Sequence, residues 1–197
     1  GDSASCAEVV WDVLELMGVK ADRALAEAVY VGVSTDTGCF VYSNTTARTH
    51  RIAAALMDCG IDAAPVNKAL FRTKSRTRLA MEAWMAEWAE YYDNDRVVIM
   101  QIPLSLCLDY KATEADVEEL SSLAALVAGT DCGVTLRELE PGKVKISLRT
   151  GPRVNATKVC ALLGGGGHAA AAGATLSATL SEAKQAVLQA IDMVVGE

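Results

Sequence analysis

Leu162-Leu163-Gly164-Gly165-Gly166-Gly167-His168-Ala169-Ala170-Ala171-Ala172-Gly173 is the stretch from which the rest of the chain can be read. Successive glycines free the backbone to adopt positive φ and to approach a ligand with no Cβ in the way. Consecutive amides in such a turn can converge on an anion, and His168 adds a side-chain donor where a phosphate would sit. A flexible linker is the plainer alternative, but a solvated linker would carry Ser, Asn or charge. Here the flanking residues are Leu, Ala and Gly, which suits a tightly packed turn. Gly164, Gly165, Gly166, Gly167 and His168 are therefore candidate contacts to a phosphate-bearing ligand.

Working outward, Asn155 is placed to cap a short helix running to Leu163. Val134 to Leu139 and Lys143 to Leu148 flank Glu140-Pro141-Gly142, the signature of a hairpin. Arg149 ends the second strand, where a planar guanidinium pairs well with phosphate, although arginine there can also serve solubility alone. Arg96 to Leu104 reads as a buried strand, and Thr113-x-x-Asp116 opens an amphipathic helix to Val127. A last helix is expected from about Ser181 to Val195.

Before Asp93-Asn94-Asp95 the pattern is helical. Ser5 and Glu8 form a capping box, followed by the apolar stripe Val9, Val10, Val13, Leu14 and Met17. A second helix starts at Asp22 and runs into the polar turn Ser34-Thr35-Asp36-Thr37-Gly38. Thr45 or Thr46 caps a third helix ending at Gly60, and helical period continues from Pro65 to Tyr92. Asp36, at the mouth of an apolar junction, is placed to bind a hard metal ion; an Asx-turn is the plainer alternative. Trp84 and Trp88 read as a packing face, the basic run from Arg72 to Arg78 as a solvated face, and the cysteines as buried small hydrophobes.

The 197 residues carry 18 Lys+Arg against 25 Asp+Glu, a formal net charge of −7. That balance argues against gripping nucleic acid by bulk charge and leaves room for a small basic site. The 51% hydrophobic content excludes a disordered polyampholyte. No two of the six cysteines make a Cys-x-x-Cys motif, so a reduced, cytoplasmic chain is expected. Val159 to Ser181 lacks charge, but its glycines and His168 interrupt any membrane span.

Taken together, these motifs resemble those of the DHH phosphoesterases, and within them the nanoRNase/pAp-phosphatase group. The likeness rests on Ser3 to Glu8, on Ser34 to Phe40, on Val144 to Arg149, and on Gly164 to His168 with Ala171-Ala172-Gly173. The resemblance implies an α/β chain: 1–64 as the mainly helical end of the DHH domain, 65–94 as a helical linker, and 95–197 as an α+β DHH-associated substrate-binding domain with a small mixed sheet. It implies Asp36 as a metal ligand, with manganese as the divalent ion and two ions in the intact enzyme. It further implies Arg149, His168 and the glycine backbone as substrate contacts.

The Asp-x-Asp and Asp-His-His motifs that the resemblance would place ahead of Asp36 do not occur there in this sequence. Gly1 falls just after the place of the Asp-His-His triplet, so the chain is expected to be a C-terminal, inactive piece of such an enzyme. The implied activity is metal-dependent hydrolysis of short RNA or DNA oligonucleotides and phosphoadenosine phosphate (pAp). The alternatives are a cyclic-dinucleotide phosphodiesterase or single-strand exonuclease relative, and a non-catalytic nucleotide- or RNA-binding module. No membrane partner is expected, and a homodimer is the assembly considered.

Overall fold

Short-range caps start most of the helices. In α1 (Cys6–Leu16), the Ser5 hydroxyl accepts from the Glu8 amide at 3.1 Å, and in α2 (Arg23–Asp36) the Asp22 carboxylate accepts from the Leu25 amide at 2.9 Å. Thr46 and Thr49 form a capping box on α3 (Ala47–Asp58), and α4 (Ala63–Asn67) runs into a π-helical turn (Lys68–Arg72). The computed structural model describes residues 3–196, which fall into two units divided between Thr73 and Lys74.

The first unit is a helical layer whose core holds Trp11, Val29, Tyr30, Val33, Ile52 and Leu56. Of the apolar stripe read on α1, Leu14 packs on this core but the rest does not. Val13 is 48% exposed and Met17 70%, and the residues of α1 that are buried are Glu8 and Trp11. Periodicity marks an apolar face, but a face is buried only where a partner meets it. The Glu8 carboxylate is wholly buried and accepts from Arg48 at 2.9 Å, while the same guanidinium also holds Asp12. Removing one partner strands a buried charge, so Arg48→Ala is expected to lower unfolding free energy by about 3–5 kcal/mol. A urea melt of the variant checks this, and an unchanged midpoint would refute it.

In the second unit, α5 (Arg76–Glu87) is capped by Ser75 and ends one turn before the helical period expected through Tyr92. Glu90–Tyr92 instead form strand β1, because they pair antiparallel with β2 (Val97–Ile102) across the turn Asp93-Asn94-Asp95. Next come α6 (Leu104–Asp109) and α7 (Glu114–Val117), whose Thr113–Asp116 capping box forms as read. The rest of that expected helix is a 3-10 segment (Glu118–Leu126), in which Leu120 and Ala124 are buried in the core.

The chain then forms β3 (Cys132–Glu140), β4 (Lys143–Thr150), α8 (Ala156–Leu162), β5 (Gly166–His168), β6 (Ala171–Leu176) and α9 (Leu180–Val195). Among the described residues the strands make a six-stranded sheet in the order β1-β2-β3-β4-β6-β5, mixed because β2 and β3 run parallel. Of the segment 65–94, the part to Thr73 groups with the first unit, while α5 and β1 pack into the second, with Met81 and Met85 fully buried.

Each sheet face is covered differently, and this creates the site. One face carries Val97, Ile99, Val134, Ile146 and Leu148 against α8 and α9. The other carries Val98, Met100 and Ile102 against α5, α6, α7 and the 3-10 segment. That second cover lies directly on β3: a Cβ at Gly133 would come within 2.3 Å of the Ala125 backbone nitrogen.

Edge strand β1 is held to α9 by Lys184, which donates to both Glu90 oxygens at 2.8–2.9 Å. Burial alone would raise the Glu90 carboxyl, but hydrogen bonds from Lys184, Tyr92 and Gln101 outweigh it and hold the carboxyl below its usual range.

Two sequence expectations are corrected here. Only Cys132 and Cys160 are buried among the cysteines, and burial pushes the Cys132 thiol up to about 12. Trp84 packs against the core, whereas Trp88 stacks on it at 6.0 Å while staying 61% exposed. The basic run is solvated but not idle: Lys74 and Arg78 both pair with Glu82.

Candidate functional site

In the first unit, the polar stretch around Asp36 is a helix end rather than a free turn. α2 continues through Asp36, and the buried Thr37 hydroxyl donates to the Val33 carbonyl at 2.7 Å and accepts from the Phe40 amide at 3.2 Å. The Asn44 side chain donates to the carbonyls of both Asp36 and Ala4, at 3.1 and 2.9 Å. The exposed Asp36 carboxylate itself bonds to no described residue, so it is not the capping group of an Asx-turn.

It stands at the negative end of the α2 dipole with no basic residue in the last turn, an arrangement that a cation relieves. Among the described residues, however, no group of three His, Cys, Asp or Glu side chains could hold a metal ion. The residues present offer one ligand and do not build a metal centre. His50 is exposed and stacks on Phe40 at 5.3 Å.

In the second unit, the glycines and Arg149 meet through strand pairing. Arg149 of β4 pairs with Ala171 of β6, and Ala171 pairs with His168 of β5. Directly paired residues share a sheet face, and strands lie about 4.8 Å apart, so Arg149 and His168 stand roughly 10 Å apart in one row with a small alanine between them. One step along, on the same face, is the row Ser147–Gly173–Gly166. The cover on this face reaches β4 through the 3-10 segment and buries Ser147, while Gly166 and His168 on β5 stay exposed. Arg149 donates to the Leu148 carbonyl at 3.0 Å and pairs with no described carboxylate; His168 is exposed and bonds to no described residue. A guanidinium and an imidazole are thus free for an anion.

The glycines have separate jobs. Gly164, at φ +74°, ends α8 in a Schellman motif: its amide donates to the Ala161 carbonyl at 3.1 Å and the Gly165 amide to Cys160 at 2.8 Å. Those two amides are taken, so the expected convergence of successive amides on an anion does not start there. Gly165 and Gly167 are spacers, since a Cβ would meet the Gly173 oxygen at 2.1 Å and the Ala171 oxygen at 2.6 Å respectively. Gly166 alone of the four has open space above it without a positive φ. Thr157 and Thr150 pin the β5–β6 connection by donating to the Gly167 and Ala169 carbonyls, both at 3.1 Å.

Lys145 and Ser147 share the Arg149 face and line a cavity of about 100 Å³ with Thr135 and Arg137. Sequence reading passed over both, although their signal was the polar alternation Lys143, Lys145, Ser147, Arg149 along β4.

A family model for the DHHA1 domain matches residues 94–197. The chain belongs to the DHH family. Its DHHA1 domain contains Arg149, the glycines and His168, while Asp36 lies outside the matched residues. The chain is 34% identical over 190 residues to a "Bifunctional oligoribonuclease and PAP phosphatase NrnA" of Thermus thermophilus, covering 95% of this chain and 56% of that protein. A protein of the same name from Bacillus subtilis is 24% identical over 160 residues, covering 81% of this chain and 50% of that one. The chain therefore spans about half the length of these curated relatives.

The crystal structure of an exopolyphosphatase-related protein from Bacteroides fragilis matches with a TM-score of 0.91 at 24% identity, covering 99% of this chain and 58% of that one, which establishes the shared fold. No helix of the described residues is long and apolar enough to cross a membrane.

Proposed function

We propose that the chain is the substrate-binding part of a metal-dependent phosphoesterase that hydrolyses short oligonucleotides and pAp. The observation that carries this reading is the Arg149–Ala171–His168 row on the open end of the sheet, in a chain whose relatives bear oligoribonuclease and PAP phosphatase names. Arg149 neutralises a phosphate through two parallel N–H···O bonds, and His168 donates to the same group from the neighbouring edge. Gly166 and Gly173, lacking side chains, let the ligand lie close to the sheet. A divalent metal, manganese by the resemblance, enters only through Asp36. The described residues supply no further ligands, so the chemistry assigned to them is the binding and orientation of phosphate.

A charge-assisted contact to phosphate is worth about 1.5–3 kcal/mol, or roughly 10- to 150-fold in affinity. Arg149→Ala is accordingly expected to weaken pAp binding to the chain by that factor in a calorimetric titration. Arg149→Lys should recover only part of the loss, because an ammonium cannot pair bidentately. Equal affinities for all three proteins would remove Arg149 from the site.

A further inference from the structure

On the reverse side of the sheet, beneath the β1–β2 turn and against the last turns of α9, lies a cavity of about 530 Å³. Its size falls within the roughly 300–1,000 Å³ typical of small-molecule sites. None of Arg149, Gly166 or His168 lines it. The floor is aliphatic: Val97, Val154 and Ile191 are buried, Leu188 is half-buried, and the Tyr92 ring forms one wall.

The rim is charged in both senses. Arg153 sits 3.3 Å from Asp131, a long and exposed pairing, while Arg96 has no side-chain hydrogen bond or ion pair with any described residue. The Asp93 and Asp192 carboxylates are likewise without a side-chain partner among the described residues. Asp93, Asn94 and Asp95 all hold positive φ, at 50°, 52° and 65°, and this tight turn brings Asp93 and Arg96 to the same lip of the cavity.

Each simple ligand class leaves part of this lining unused. A small inorganic anion would meet Arg96 and Arg153 but also three carboxylates, and would not touch the floor. A purely apolar molecule would fill the floor and strip water from the rim charges without replacing its hydrogen bonds. A flat heterocycle with exocyclic N–H donors and an attached phosphate uses more of it: the ring covers the floor, its N–H groups meet a carboxylate and its phosphate meets the arginines.

We propose that this cavity is a second ligand site that takes a nucleoside monophosphate, with its base on the Val97–Leu188–Ile191 floor, its N–H groups toward Asp192 or Asp93, and its phosphate at Arg96 and Arg153. The assignment stands on the lining alone. If the proposed function also holds, the ligand belongs to the class of molecule that hydrolysis releases, and the site reports product.

The test is a methyl NMR titration of the chain with AMP, with adenosine and inorganic phosphate as separate arms. AMP is expected to shift the Val97, Leu188 and Ile191 methyls saturably in the millimolar range or below. Those shifts should persist in Arg149→Ala, which separates this site from the one on the other sheet face. Arg96 is exposed, so Arg96→Ala should fold normally and weaken AMP roughly 10- to 100-fold. Leu188→Trp should fill the cavity and abolish the shifts. Adenosine and phosphate should each bind at least about tenfold more weakly than AMP, each lacking half of the contacts.

Absence of saturable methyl shifts with AMP would overturn the proposal, as would their loss in Arg149→Ala or an unchanged affinity in Arg96→Ala. Phosphate binding as tight as AMP would overturn the nucleotide assignment. Methyl shifts that survive when no AMP binds at the Arg149 face would leave this site standing while the proposed function fails.

Discussion

Incubated with manganese and either pAp or a short RNA, the 197-residue chain by itself is expected to release neither phosphate nor mononucleotide. Two-metal phosphoryl chemistry holds its ions about 3.5–4 Å apart and needs several carboxylates and imidazoles to do so. The described residues contain no group of three such side chains, and Asp36 stands alone at the end of α2. Loss of one well-placed transition-state contact already costs on the order of 10²–10³ in rate, and here an entire metal centre is in question. Turnover should thus fall at least about 10³-fold below that of the Thermus relative assayed in parallel. The same chain should still bind pAp, because Arg149, His168 and Gly166 all lie in one unit. Binding without turnover is the expected pair of results. Turnover near that of the relative would mean that the described residues suffice, and would overturn the reading of the chain as a binding part.

The second large effect separates two adjacent glycines. Gly165→Val puts a side chain where a Cβ already meets the Gly173 oxygen at 2.1 Å and the Ala174 Cα at 2.7 Å. Strand β6 lies between β4 and β5 and cannot yield without breaking pairing on both sides. Overpacking of this kind costs about 1–3 kcal/mol, occasionally more, and a backbone obstacle belongs at the upper end. Gly166→Val meets nothing within 4 Å and should leave stability within about 0.5 kcal/mol of the parent. Its side chain would nevertheless stand on the face shared with Arg149 and His168, so pAp affinity should fall at least about tenfold. Denaturant melts and a pAp titration of both variants check this. If Gly166→Val binds pAp normally, that face is not the phosphate site. If Gly165→Val melts like the parent, the close approach of β5 to β6 is not as described.

Much of the local structure was legible in the sequence. Ser5, Thr113 with Asp116, and Asn155 cap the helices they were expected to cap, Thr46 rather than Thr45 caps the third, and Asp22, read as the start of the second, caps it, because each such bond spans only three residues. The hairpin at Glu140-Pro141-Gly142 and the glycine stop at Gly164 follow from the same short range. These features need no tertiary partner, so the residue types are enough.

Other elements followed what lies against them. Glu90–Tyr92 reads as helix by period but becomes a strand because β2 is there to pair with it. Glu118–Leu126 tightens into a 3-10 segment because it lies flat on β3 over Gly133. Of the stripe on α1, Leu14 packs on the first unit's core while Val9, Val10, Val13 and Met17 stay exposed.

The candidate site divides in the same way. That Arg149, the glycines, His168 and Asp36 were worth attention came from residue type and spacing alone. That Arg149 and His168, 19 positions apart, stand in one row with Ala171 was decided by the pairing of β4 with β6 and of β6 with β5. Pairing register is a property of the assembled sheet: one residue of slip would turn every side chain of a strand to the other face. The row faces outward because the alternate residues Ile146, Leu148, Ala172 and Ala174 are buried against α8 and α9, and that burial holds the register in place.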